Sequence, residues 1–324
     1  MTHLEQHAWA IVLAAGEGSR LRSLTTDATG TTVPKQFCSL QGGPSLLQEA
    51  LQRAQAVVAR ERVCAVVADQ HRRWWRGALW LLPASNIIVQ PRNRGTAIGI
   101  LLPLMHILAR DPLARIVFLP ADHYVRDESV LTRALHAALE QLSHRSTELV
   151  LLGISPEDAD PELGYILPGR SNGYDTAPVE RFVEKPDPAA AHRLIEAGGV
   201  WNSFIFAAYG SAVLSLVRER APDIVDDLET ALARDAQGPS LAVSDLYEQL
   251  PQIDFSRDVL QGAAARLRVL SVPQCGWNDL GTPQRVTRTL RQIQSPHLAR
   301  PPLATTSTWL NLAAAAEGEL QLAG

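Results

Sequence analysis

Trp9, Ile11, Val12 and Leu13 run straight into Ala14-Ala15-Gly16-Glu17-Gly18-Ser19-Arg20. No other feature of the chain restricts its fold as much. An unbroken apolar run ended by small residues describes a strand buried on both faces that opens into a loop at its carboxyl end. Side chains at positions 16 and 18 would hold the backbone away from an anion, whereas glycine lets backbone N–H groups close around one. Arg20 adds fixed positive charge, as does Lys35 in Pro34-Lys35-Gln36. The loop is therefore expected to carry the phosphates of a nucleoside triphosphate. An ordinary glycine turn between a strand and a helix is the other reading of these residues. A dinucleotide fingerprint does not fit, because Leu21 stands where the third glycine belongs, and no Walker string occurs. The missing glycine disfavours a nicotinamide-dependent dehydrogenase.

The rest of the chain alternates short strands with amphipathic stretches. Strands are expected over residues 9–13, 63–67, 87–90 and 116–119, with helices over 46–58, 71–81 and 96–110 between them. That alternation argues for an α/β fold of Rossmann-like kind, a mixed, mostly parallel sheet with helices on both faces. Ligands bind such sheets beyond the carboxyl ends of the strands, which puts residues 16–20, 91–96 and Asp122 on one rim. Asp122 follows the apolar run Ile116-Val117-Phe118-Leu119. It reads either as a turn or helix-capping aspartate or as a ligand for magnesium beside phosphates. The second half is less regular. Strands are expected at 149–154, around 164–166, at 179–184, 203–208 and 267–272, and helices at 188–197, 211–220, 224–234, 243–249 and 283–294. Inserted elements and a mixed sheet follow.

Composition narrows the function class. A net charge of −4 without a basic cluster speaks against nucleic acid. Cys38, Cys64 and Cys275 are too scattered for a zinc site or a disulfide framework, and idle thiols suit a reducing compartment. Glu5 and two histidines precede the first apolar run, unlike a signal peptide, and the apolar stretch 97–108 is too short to span a bilayer. No membrane association and a cytoplasmic setting are expected; assembly into a homo-oligomer stays open. Residues 1–294 read as one domain and 295–324 as a weakly helical or mobile tail. Trp201 and Trp277 read as packing residues, Trp74, Trp75 and Trp80 as helix packing or a surface patch, and His123 as a satisfied core residue without a catalytic role.

Nine strings in one order, LAAGEGSRL, PKQF, QPRNRGTA, LPADH, the G-Y-I at Gly164, FVEKPD, WNSFIF, DFSRDVL and GWNDLGT, make the chain resemble the sugar-1-phosphate nucleotidyltransferases. Within that family it is most similar to the mannose-1-phosphate guanylyltransferases. The resemblance implies the nucleotidyltransferase fold and a magnesium-dependent reaction. In it GTP and mannose-1-phosphate, or another base and sugar, give a nucleotide-sugar for polysaccharide biosynthesis and pyrophosphate. It implies that Leu13, Ala14, Ala15, Gly16, Gly18 and Ser19 lie against the nucleotide, with Arg20 and Lys35 on its phosphates. Pro91, Gly95 and Thr96 would face base and ribose. Asp122 and Asp279 would hold Mg²⁺. Gly164, Glu184 and Asn202 would bind the sugar, and Lys185 its phosphate. A catalytically silent nucleotide-sugar-binding homologue is the alternative, and the joint presence of Arg20, Lys35, Asp122, Lys185 and Asp279 argues against it. The chain departs from the guanylyltransferase pattern at Ala15, where that family shows glycine, and at Phe204, where glycine is frequent.

Overall fold

The computed structural model describes residues 6–26, 29–40, 42–170 and 176–294. Nine strands form one sheet: β1 (Ala8–Ala14), β2 (Val63–Ala68), β3 (Ile87–Gln90), β4 (Arg115–Pro120), β5 (Leu149–Ile154), β6 (Tyr165–Pro168), β7 (Thr176–Val183), β8 (Val200–Tyr209) and β9 (Leu267–Val272). Their spatial order is β3-β2-β1-β4-β8-β5-β9-β7-β6, with a further pairing of β6 to β8. β1 pairs in parallel with β2 and β4, β2 with β3, and β5 with β9. The pairings of β8 with β4, β5 and β6, and of β7 with β6 and β9, are antiparallel. Seven strands thus share one direction and β7 and β8 run against them, which is the expected mixed, mostly parallel sheet. The β6–β8 pairing closes β8, β5, β9, β7 and β6 into a ring of paired strands, a closure that the strand pattern does not foretell.

Helices cover both faces: α1 (Arg22–Thr25), α2 (Leu46–Gln55), α3 (Arg72–Ala78), α4 (Thr96–Leu108), α5 (Glu128–Gln141), α6 (Pro188–Glu196), α7 (Gly210–Arg220), α8 (Pro222–Gln237), α9 (Ala242–Gln249) and α10 (Pro283–Gln294). Successive residues of a strand point to opposite faces, so β1 feeds two cores. Trp9 and Ile11 join α4, α7 and α8 in one; Ala10 and Val12 join α2, α3 and α5 in the other. Burial on both sides explains why β1 reads as a continuous apolar run, and fully buried Ile11 contributes about 2 kcal/mol through its side chain alone. α4 is apolar all round because it lies wholly inside, which accounts for the stretch 97–108. No described helix is long and apolar enough to cross a membrane. A third, small cluster of Leu21, Leu24, Leu46, Leu280, Val286 and Leu290 fastens α10 to the segment after β1.

Helix α5 is an addition to the sequence reading. Asp127 caps it by accepting from Ser129 N and Val130 N, and Leu131, Leu135, Ala138 and Leu139 form its buried stripe. The tryptophans divide: Trp75 is buried and donates to the Ala68 carbonyl at 2.9 Å, Trp74 stacks on Phe37, and Trp80 is 75% exposed. Cys38, Cys64 and Cys275 are buried and unpaired. The expected tail 295–324 lies outside the described residues.

Candidate functional site

The loop after β1 takes its shape from a side chain further along. Buried Gln36 donates from Nε2 to the carbonyls of Ala14 (3.0 Å) and Gly16 (2.7 Å). With those carbonyls turned toward Gln36, the glycine loop stays open toward a cleft of about 430 Å³. Leu13, Ala15, Gly16 and Arg20 line that cleft. Ala14, Gly18 and Ser19 lie outside its lining; Ala14 is buried, and Gly18 makes the turn at φ 62°.

A two-residue ladder brings the separate aspartates together. Tyr124 N donates to the Asn278 carbonyl and Asn278 N to the Tyr124 carbonyl, both at 2.9 Å, so the segment after β4 lies against the turn before α10. Asp122 and Asp279 therefore line one cleft. Lys35 does not line it. Its Nζ sits 2.9 Å from Asp122 Oδ2 and donates to the Asp279 carbonyl at 2.6 Å and the Leu280 carbonyl at 3.4 Å. The Lys35 ammonium, with a carboxylate and two carbonyls around it, bridges the two aspartate segments.

Burial would raise Asp122, but the Lys35 ammonium 2.9 Å from Oδ2 opposes it, and the carboxyl stands below its ordinary value. Burial acts likewise on Asp279, and the charges of Arg285 and Lys35 bring it below its ordinary value. Arg285 Nη1 reaches Asp279 Oδ1 at 2.5 Å, and Gly281 N donates to the same oxygen at 3.0 Å. His123 accepts on Nδ1 from Trp277 Nε1 at 3.3 Å, and burial lowers its pKa to about 4. A neutral ring is the result, in line with a core role.

The sugar-side residues expected from the sequence converge on the same cleft. Gly164, Glu184, Lys185 and Asn202 all line it. Asn202 gets there through a bulge. The β5–β8 register passes from Leu151↔Phe206 to Gly153↔Asn202, which leaves two extra residues on β8. Ser203 Oγ fills the gap by donating to the Leu152 carbonyl at 2.6 Å. Such a bulge re-aims the neighbouring side chains. It also puts Phe204 at φ 58°, a left-handed conformation that favours glycine, at the position where the resembled family often has one. Gly164 is needed for closeness: a Cβ there would lie 2.6 Å from Glu184 Oε2.

Several cleft residues were not foreseen. Glu162 lies 3.4 Å from Arg20 Nη1 and 4.0 Å from Lys185 Nζ. Asp254, Ser256 and Arg257 come from a π-turn at Phe255–Leu260, and His123 and Gln90 complete the wall. The string DFSRDVL carried the Asp254 group; nothing local marked Glu162. On the nucleotide side, Gly95 and Thr96 line the cleft, while Pro91 faces an adjoining groove with Glu17 and Arg92. Gly95 has φ 87° and its missing Cβ makes room for the Ile253 carbonyl, which a Cβ would approach to 2.3 Å. Thr96 Oγ1 accepts from Phe255 N at 2.7 Å, fastening the two segments. Gln90 is buried, and its Oε1 has no hydrogen-bond partner among the described residues.

Burial first, and then Asp254, raise Glu184 to about 7, against the opposing charges of Lys185 and Arg257. Between the ordinary value of 4.5 and about 7, the native state keeps a proton that the unfolded chain has lost. Stability is therefore expected to fall as pH rises through that window. Glu184→Gln cannot ionise and should flatten this part of the curve. Urea unfolding at about pH 5 and about pH 8 measures the difference. The same decline in both proteins would show that other groups cause it.

A sequence profile of the family described as "Nucleotidyl transferase" matches residues 9–295. A mannose-1-phosphate guanylyltransferase from Salmonella muenchen is 31% identical over 283 residues, covering 84% of this chain and 57% of the relative. The xanthan biosynthesis protein XanB of Xanthomonas campestris pv. campestris (strain B100) is 33% identical with the same coverage of both. The chain thus spans a little over half the length of these relatives. A solved structure described as mannose-1-phosphate geranyltransferase from Thermus thermophilus superposes with a TM-score of 0.75 at 30% identity, covering 90% of this chain and 81% of that one.

Proposed function

The chain belongs to the nucleotidyl transferase family, and from that premise we propose that it joins a nucleoside triphosphate to a sugar-1-phosphate and releases pyrophosphate, with GTP and mannose-1-phosphate preferred. The observation that carries this reading is one cleft lined by the glycine loop with Arg20, by Asp122 and Asp279, and by Lys185 with Glu184 and Asn202. Two cations and two carboxylates in one cleft suit a pair of phosphate-bearing substrates and a divalent cation. The names of the relatives, which include xanthan biosynthesis, support mannose-1-phosphate and polysaccharide biosynthesis as the setting. Three buried, unpaired thiols suit a reducing cytoplasm.

The attacking group is an oxygen of the sugar phosphate, already ionised at neutral pH, so the reaction asks for no general base. What remains is alignment at the α-phosphorus and neutralisation of charge. Lys185 would hold the attacking phosphate, and Arg20 the departing pyrophosphate. Asp122 and Asp279 fit Mg²⁺, since this hard cation takes one or two carboxylates and completes its shell with water and substrate phosphates. Both carboxyls are held below their ordinary values, hence ionised, and face the same space. When bound, the ion would supply positive charge to the reacting phosphates. Lys35 would keep Asp122 and the turn at Asp279 in place.

For the base, GTP is supported by the name of the guanylyltransferase relative. Specificity constants for GTP, UTP, CTP, dTTP and ATP with mannose-1-phosphate test the assignment. GTP is expected to lead by about tenfold, or about 1.4 kcal/mol. A tenfold lead of UTP or dTTP would overturn the base, and no pyrophosphate from any pair would overturn the reaction.

Lys185→Ala separates the two substrates. The Michaelis constant for mannose-1-phosphate should rise by about tenfold or more, the worth of a charged hydrogen bond, while that for GTP moves by less than about twofold. Equal rises would mean that Lys185 serves the triphosphate instead.

A further inference from the structure

Helix α10 begins four residues beyond Asp279 and carries Arg285 in its first turn. Arg285 is buried, at 8% exposure, yet it lies between two acids from segments far apart in the chain. On one side it meets Asp279 Oδ1. On the other its Nε donates to Asp160 Oδ2 at 2.9 Å, and its Nη2 closes on the same oxygen. Asp160 belongs to the connection between β5 and β6, where buried Leu163 joins the core and Ser155 N donates to the Val272 carbonyl at 3.2 Å. Asp160 Oδ1 accepts from Glu162 N at 2.9 Å. Asp160 N donates to Tyr165 Oη at 2.8 Å, and that hydroxyl donates back to the Asp160 carbonyl at 3.1 Å. Trp201 Nε1 also donates to Tyr165 Oη at 3.1 Å, and Asn202 N donates to the Gly164 carbonyl at 2.8 Å. A second ion pair, Arg288 to Asp158 at 2.9 Å, ties the same helix to the same connection. An unbroken series of contacts thus runs from Asp279 through Arg285 and Asp160 to Tyr165 and Trp201, next to Gly164 and Asn202.

We propose that Arg285 is a positioning residue that holds the β5–β6 connection, with Glu162 and Gly164, in register with Asp279, and so prepares the sugar-phosphate side of the cleft without touching substrate. Arg285 suits this task because the planar guanidinium presents its donors in fixed, diverging directions, which holds each carboxylate in one orientation. Its partners fix the orientation of each carboxylate, and the contacts of Asp160 with Glu162 and Tyr165 carry that orientation to Gly164. The proposal rests on the nucleotidyl-transfer reading for its kinetic consequences but not for its structural one.

Two measurements on the full chain test it. Hydrogen–deuterium exchange of peptides spanning residues 155–166 should speed up by about tenfold in Arg285→Gln, the loss of a hydrogen bond between charged groups, while peptides of β1 stay unchanged. In the same variant the Michaelis constant for mannose-1-phosphate should rise by about tenfold and that for GTP by less than about twofold. Asp160→Asn should reproduce both effects, and Arg285→Lys should restore them only in part. Equal rises for both substrates, or unchanged exchange in folded Arg285→Gln and Asp160→Asn, would overturn the proposal. Should Arg285→Gln fail to fold, Asp160→Asn and Arg285→Lys carry the same two readouts. A wild-type chain that forms no nucleotide-sugar would overturn the reaction, and exchange at 155–166 would still decide the role of Arg285.

Discussion

Asp279→Asn is expected to lower turnover by ~10²-fold or more while the protein stays folded, the scale of losing one major electrostatic stabiliser at a reacting phosphate. The substitution removes charge and almost no volume. Its remaining oxygen can still accept from Gly281 N and Arg285, which both meet Oδ1 of the native carboxylate. The turn before α10 should therefore survive, and the thermal midpoint reports whether it does. Turnover at saturating GTP, mannose-1-phosphate and magnesium is the decisive measurement. A rate within about threefold of wild type would remove Asp279 from the reacting centre. Asp122→Asn should cost as much in turnover, with an added penalty because Lys35 Nζ, 2.9 Å from Asp122 Oδ2, would lose its counter-charge.

The second large effect concerns Lys35 itself. Lys35→Met keeps the length of the side chain and deletes the ammonium. It strips Asp122 of its nearest cation and leaves the carbonyls of Asp279 and Leu280 without that donor. Lost stability should amount to about 2 kcal/mol, the worth of charged hydrogen bonds. The Asp122 side chain is 34% exposed, so water takes over part of the role and the cost stays below that of breaking a fully buried pair. Turnover should fall with it, because the two acids lose their common brace. Urea unfolding compared with the Michaelis constant for GTP distinguishes a brace from a phosphate contact. Full stability with a GTP constant raised by about tenfold would return Lys35 to the triphosphate.

Much of the scaffold was legible because its signals are local. The ranges 149–154, 267–272 and 283–294 coincide with β5, β9 and α10. An apolar run buried on both faces, or a stripe at helical spacing, depends only on residues a few positions apart. The strand expected at 203–208 is β8, which starts three residues earlier at Val200. The reason is the bulge: Asn202 and Ser203 are polar, and they break the period where two extra residues are accommodated. The ring closure through β6 and β8 was likewise beyond reach, since it depends on how far the sheet twists and not on either strand's pattern.

The site divides along the same line. Gly16, Arg20, Asp122, Gly164, Glu184, Lys185, Asn202 and Asp279 stand in short motifs at strand ends, and the cleft collects all of them. Glu162 and Arg285 carry no local mark. Arg285 meets Asp160 across 125 positions of sequence, and Lys35 meets the Asp279 carbonyl across 244. By itself the sequence determined which backbone segments reach the rim of the sheet and which charged groups they carry there, because burial pattern and chain direction are properties of each segment. Only the tertiary structure decided what each charge does. Coulomb interactions and hydrogen bonds act over a few ångströms of space, whatever the distance along the chain. Lys35 meets a carboxylate and two carbonyls and ties their segments together, while Lys185 lies half exposed beside the cleft.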